Sequence, residues 1–102
     1  MIARIWRGFA FPEKAEEYAK HLQTAVLPDL RQIEGFQGVS LLRQDSAEAV
    51  EFIVLTFWES MEAIHKFAGE NAEVAVVAPA AQGLFREYEV TVKHFEVVLN
   101  TR

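Results

Sequence analysis

The chain has 102 residues, 51% hydrophobic and 25% charged, with no cysteine and a formal net charge of −5. That is the size and composition of one folded domain with one core, here taken to span residues 1–102. The missing cysteines exclude disulfides, thiolate catalysis and iron–sulfur clusters, and suit a reducing cytoplasm. Ten Lys and Arg are scattered among fifteen Asp and Glu, with no basic stripe, so no nucleic-acid partner is expected. No stretch approaches the roughly 20 apolar residues of a membrane span. The first residues lack the apolar run of a signal peptide, so a cytoplasmic location and no membrane partner are expected.

In chain order, residues 2–9 (IARIWRGF) are β-branched and aromatic and predict strand one. Pro12 suits the first turn of a helix, and Glu13, Glu16 and Glu17 favour its positive end. Apolar residues at Ala15, Tyr18, Ala19, Leu22, Val26, Leu30 and Ile33 mark one helical face. Pro28 predicts a kink or break just before it, and Gly35 ends the segment. Residues 38–44 and 50–58 predict strands two and three, joined by a short polar hairpin loop. Ser60 is a plausible N-cap for a second helix carrying Met61, Ile64, Phe67 and Ala68, stopped by Gly69. Asn71 predicts a further short turn through Val77 before Pro79. Residues 85–99 predict strand four, bent or bulged given its length.

The order is βαββαβ. Right-handed crossovers make it an α+β, ferredoxin-like fold: a four-stranded antiparallel sheet with both helices on one face. Strands one and three lie in the middle, and strand four lies beside strand one.

Strand three carries Val50, Phe52, Val54, Thr56 and Trp58 on one face and Glu51, Ile53, Leu55 and Phe57 on the other. Strand one carries Ile2 and Trp6 on one face and Ala3, Ile5 and Phe9 on the other. A sheet with one wet face alternates apolar with polar residues; these strands do not. The helices cover one face. The second is expected to be buried by the same sheet of another copy, giving a homodimer, or else by the C-terminal residues folding back.

The sequence resembles the antibiotic biosynthesis monooxygenase-like proteins of the dimeric α/β-barrel superfamily. The resemblance is carried by Ile2-Ala-Arg-Ile-Trp6, Pro12-Glu-Lys-Ala15, Pro28-Asp29, Phe57-Trp58-Glu-Ser-Met-Glu-Ala-Ile64, Phe67-Ala-Gly-Glu70 and Val92-Lys-His94-Phe-Glu-Val97. It implies two sheets pairing into an eight-stranded barrel, with a cavity between helices and sheet in each protomer. It also implies oxygenation of a phenolic, anthrone-like or quinone-like small molecule without metal, flavin or haem, the deprotonated substrate itself reducing O₂. Haem-degrading members use an Asn on strand one, a Trp on the second helix and a His about ten residues later. Here those places hold Arg7, Phe67 and Val77, so no haem and no other cofactor is expected.

Among individual residues, His94 in strand four is the leading candidate for proton transfer, against a purely structural role. Glu96 shares its face, but a His-x-Glu pair with no third ligand predicts no metal site. Arg4 and Arg7 lie on opposite faces of strand one beside strand four, so one of them should approach His94. Such an arginine could hold an anionic substrate or enolate, or else pair with an acid or cross the dimer interface. Trp6 shares the face of Arg4. Trp58 ends strand three at the mouth of any helix-side pocket, where it could stack on an aromatic substrate or simply pack in the core or interface, with the Thr56 hydroxyl on the same face; Trp6, Trp58 and Thr56 are the substrate-binding candidates. Tyr18 and Tyr88 could line a cavity. His21 and His65 are read as solvated. The small residues of 72–84 suit either a lid or a docking surface. The competing functions are a cofactor-independent monooxygenase, a non-catalytic dimeric small-molecule-binding or stress-response protein, and an isomerase or cyclase using a single base.

Overall fold

The sheet is built around β1 (Ile2–Ala10). The computed structural model describes residues 1–101. β3 (Val50–Trp58) pairs antiparallel with all of β1, from Ile2 opposite Trp58 to Ala10 opposite Val50. β2 (Phe36–Asp45) flanks β3, also antiparallel. Two short strands, β4 (Phe85–Tyr88) and β5 (Lys93–Glu96), share the other edge of β1. The order is therefore β2-β3-β1-β4, with β5 also beside β1. This is the α+β, ferredoxin-like antiparallel sheet that the sequence predicts.

The fourth strand is split rather than continuous over 85–99. Near Glu89 the chain turns from β1 towards residues 73–75. There Ala75 N–H bonds Val90 O (2.9 Å) and Val92 N–H bonds Glu73 O (2.8 Å). The Val90 carbonyl and the Val92 N–H of this stretch thus serve the covering segment instead of the sheet. That segment makes a single turn at Asn71, Val74 N–H bonding Asn71 O (3.0 Å), which does not extend through Val77; beyond it the chain runs irregularly, with Val74 bridged to Thr91. A short helix, α4 (Pro79–Gln82), starts after it, where proline fits a first turn.

A 3₁₀ turn (Pro12–Lys14) leads into α1 (Ala15–His21), a π-helical turn (Leu22–Val26) and α2 (Leu27–Leu30). The predicted break before Pro28 does not occur. Proline lacks an N–H and its ring crowds the carbonyl four residues back. The chain instead widens by one residue, Leu27 N–H bonding Leu22 O, and continues. α3 (Met61–Ala68) is capped by Ser60, whose hydroxyl accepts from Ala63 N–H at 3.2 Å.

The helix-side core falls into two clusters. One joins Trp6, Tyr18, Val50, Phe52, Val54 and Phe85; the other joins Leu30, Trp58, Ala63, Ile64 and Ala72. Gly8 belongs to the first in effect, because a Cβ there would lie 2.7 Å from both Phe85 and Trp6. On the opposite face of the sheet, Ile5, Phe9, Ile53, Leu55 and Phe57 are only half-buried, and Leu42 and Phe95 are exposed. The C-terminal residues do not cover this face closely: Val98 and Leu99 are 89% and 79% exposed.

Candidate functional site

The register of β1 against β3 sets the site. Trp6 faces Val54 in one cluster, and Ile2 faces Trp58 in the other. Between them Arg4 faces Thr56, a polar step in an otherwise apolar row. A cavity of about 80 Å³ lies there. Its floor is Arg4, Trp6, Val54 and Thr56. Tyr18, His21, Leu22, Val26 and Leu30 of the first helical segment form one wall. Phe67 and residues Val76–Ala78 with Ala81 close it.

Arg4 is 4% exposed and fully engaged at one end. Nη1 donates to Ala72 O and to His94 Nε2 (2.9 Å), and Nη2 donates to Val74 O (3.0 Å). Its guanidinium carbon lies 5.6 Å from the centre of the Phe67 ring. Burial pushes the Arg4 pKa down, with Glu73 opposing, yet guanidinium stays charged in proteins. Since arginine only donates, His94 Nε2 must accept. His94 is therefore neutral, with its proton on Nδ1. Burial first, then the charges of Arg4 and His65, hold its pKa below the ordinary value, against Glu73.

Of the two strand-one arginines, Arg4 is the one brought to His94. Arg7 lies on the other face, its Nε 3.1 Å from a Glu51 carboxylate oxygen. His94 itself stands behind Arg4, outside the cavity lining, beside a shallow depression formed with Ile2, Met61 and Phe95. Trp6 is fixed by Nε1 donating to Glu89 O (2.7 Å) and by an edge contact with Phe85 at 5.3 Å between ring centres. Thr56 accepts from Trp58 Nε1 at 2.8 Å, which leaves its own hydroxyl proton to donate. Trp58 is wholly buried, stacked on Phe67 at 5.6 Å, and lies beneath the second cluster rather than at a pocket mouth.

His21 departs from the solvated reading. It lines the cavity, and its Nε2 is buried with no hydrogen-bond partner. It lies three residues after Tyr18, on the edge of the apolar stripe, and that spacing was the available signal. Tyr18 also lines the cavity, and burial pushes its phenol well above the ordinary range. His65 instead closes the end of α3, Nδ1 donating to Gly69 O at 2.7 Å. Among the described residues no group of three His, Cys, Asp or Glu is placed to hold a metal. No helix among them is long and apolar enough to cross a membrane.

Several solved structures share this fold. The heme-degrader MhuD from Mycobacterium tuberculosis, with two hemes bound in its active site, aligns with 25% identity and a TM-score of 0.66, covering 100% of both chains. A Deinococcus radiodurans protein described as a candidate antibiotic biosynthesis monooxygenase aligns with 16% identity and a TM-score of 0.68, over 100% of this chain and 97% of the other. A Bacillus cereus protein of the same description gives 14% identity and a TM-score of 0.67, over 99% and 96%. No curated protein sequence matches this one. The sequence profile of the antibiotic biosynthesis monooxygenase family covers residues 1–79, and the chain belongs to that family.

Proposed function

We propose that this chain binds a small phenolic, anthrone-like or quinone-like molecule in the cavity between the first helix and the sheet, and oxygenates it with O₂ without a cofactor. The observation that carries this is a mostly apolar cavity with the buried Arg4 guanidinium on its floor. The reaction balances without an outside reductant. A ring CH₂ beside a phenol loses a proton to solvent water to give an anion, which reduces O₂. One oxygen atom becomes the new carbonyl, and the other leaves as water with both hydrogens.

Arg4 would stabilise the developing anion, and the Thr56 hydroxyl would add a second donor. His94 would hold Arg4 in place and, being neutral, would avoid adding charge to it. Trp6 would pack against the ring. Trp58 would act through Thr56. Arg7 would serve the other face of the sheet, whose half-buried apolar residues support a homodimer closed sheet to sheet. The family domain would run through β5, in a cytoplasmic protein.

A haem does not fit these residues. The covering segment presents Val76, Val77 and Ala78, none a ligand, and Phe67 takes the α3 position. Pockets that enclose large ligands measure roughly 300–1,000 Å³. Even a benzene ring takes a cavity of roughly 150 Å³, so residues 72–82 must move outward to admit a single ring.

The test is O₂ uptake by purified protein with anthrones and hydroquinones, no cofactor added, for wild type and Arg4→Lys. Uptake above the spontaneous rate, falling at least about tenfold in an Arg4→Lys dimer, is expected. Binding of the same compounds with no uptake would make the chain a binding protein. Sedimentation velocity of wild type against Leu55→Asp tests the dimer.

A further inference from the structure

We propose that His21 is the polar anchor of this cavity, its Nε2 meeting the hydroxyl or carbonyl of an otherwise apolar ring; the proposal rests on the cavity being a ligand site. Nε2 of His21 is the one buried side-chain nitrogen or oxygen among the described residues without a partner. Three of its polar neighbours in the lining are held within the chain. Arg4 makes three hydrogen bonds, the Trp6 indole bonds Glu89 O, and Thr56 Oγ1 holds the Trp58 indole. Buried polar groups in folded proteins are nearly always paired, so an orphan in a cavity wall marks a place where the partner comes from outside the chain.

Its place in the chain explains how it reaches the cavity. His21 is the last residue of α1, directly before the π-helical turn. In a regular helix it would sit about 60° off the Tyr18 direction, at the margin of the buried stripe. The widened turn at Leu22–Val26 follows from Pro28, and Leu22 and Val26 line the cavity together with His21. Single-turn π segments recur at functional sites for this reason.

The chemistry selects the ligand. A neutral imidazole offers one donor and one acceptor, so Nε2 suits a hydroxyl or a carbonyl. A carboxylate would be drawn to Arg4 on the floor instead. The ligand is thus an uncharged ring with a polar group turned towards the first helix.

The experiment uses 4-fluorophenol and 4-fluorotoluene, which differ by hydroxyl against methyl, titrated by ¹⁹F NMR into wild type, His21→Leu and His21→Gln. The methyl compound is the more hydrophobic, so any preference for the phenol reports a hydrogen bond. The ratio of the two affinities is expected to fall by about tenfold in His21→Leu, with fluorotoluene binding within about twofold of wild type, and to recover in part in His21→Gln. The free His21→Leu protein should also melt at a higher temperature, since the orphan nitrogen is gone. An unchanged ratio, or a lower melting temperature in His21→Leu, overturns the proposal. Equal binding of both compounds by wild type overturns it while the cavity remains a ligand site. Binding of neither removes the cavity reading and the anchor together.

Discussion

The two apolar clusters beneath the helices are built from the same materials but end differently. The first is a ring of aromatics, Trp6, Tyr18, Phe52 and Phe85, in edge and tilted contacts at 4.7–6.3 Å. The second centres on the fully buried Trp58, flanked by Phe36 and Phe67. Each is closely packed. They fail to merge because β1 and β3 place Arg4 and Thr56 between them. A core interrupted by one charged residue need not be filled there, and that interruption is where the cavity lies. The cavity is thus less a pocket cut into a core than a gap between two cores.

The sharpest way to break this comparison is Trp58→Ala, expected to cost about 3–5 kcal/mol in urea unfolding, as for other fully buried tryptophans. Its milder partner, Trp58→Phe, leaves Trp6 as the sole tryptophan. If the clusters unfold as one unit, Trp6 fluorescence and far-ultraviolet circular dichroism will trace the same transition. Two separate transitions would show the gap to be a mechanical boundary as well.

Arg4→Met should cost about 1–3 kcal/mol, because it strands the Ala72 and Val74 carbonyls. Amide exchange at Ala75 and Val92 should quicken while that of Val54 stays slow. Equal acceleration everywhere would mean that Arg4 supports both clusters rather than the cover.

Acid should weaken the same joint. His94 in the fold holds its proton less tightly than its ordinary value of 6.5. As pH falls below that value the unfolded chain protonates first, so this stability is complete above about pH 6.5 and is lost as pH drops through the lowered folded value. Urea midpoints at about pH 7.5 and pH 5 should differ more in wild type than in His94→Gln, whose amide oxygen can still accept from Arg4. The smallest effect belongs to Arg7→Ala. Its partly exposed pair with Glu51 is worth under about 1 kcal/mol, and ligand affinity in the cavity should not change.

The sheet order and the burial of Val50, Phe52, Val54 and Trp58 were legible because a strand's period of two separates its faces without ambiguity. The same parity put Arg4 with Trp6 and away from Arg7. It could not say which face held the cavity, since both faces are apolar. The division of the fourth strand was not legible, because residues 89–92 are claimed by 73–75, a pairing between distant segments that leaves no local pattern. His21 was missed because a histidine at the margin of a helical stripe reads as solvated, although its spacing from Tyr18 already placed it at the edge of the buried face. Of the two readings of Trp58, core packing is the one realised, because this strand end lies under a helix rather than at an opening.

The cover over the cavity is tied down by polar bonds, two from Arg4 and two with the backbone of residues 90–92, and by Ala72, Ala75, Val77 and Ala81 packed on the clusters. Val74 and Val76 within it are 50% and 52% exposed, and what it covers the clusters with is three alanines and Val77, so lifting it uncovers less apolar surface than parting either cluster. Opening therefore belongs to the low end of the protein's local unfolding energies, well separated from melting of the clusters. Access and endurance become independent variables. A substitution that tightens either cluster can raise the melting temperature and leave the rate of ligand entry unchanged, and one that loosens the cover can do the reverse.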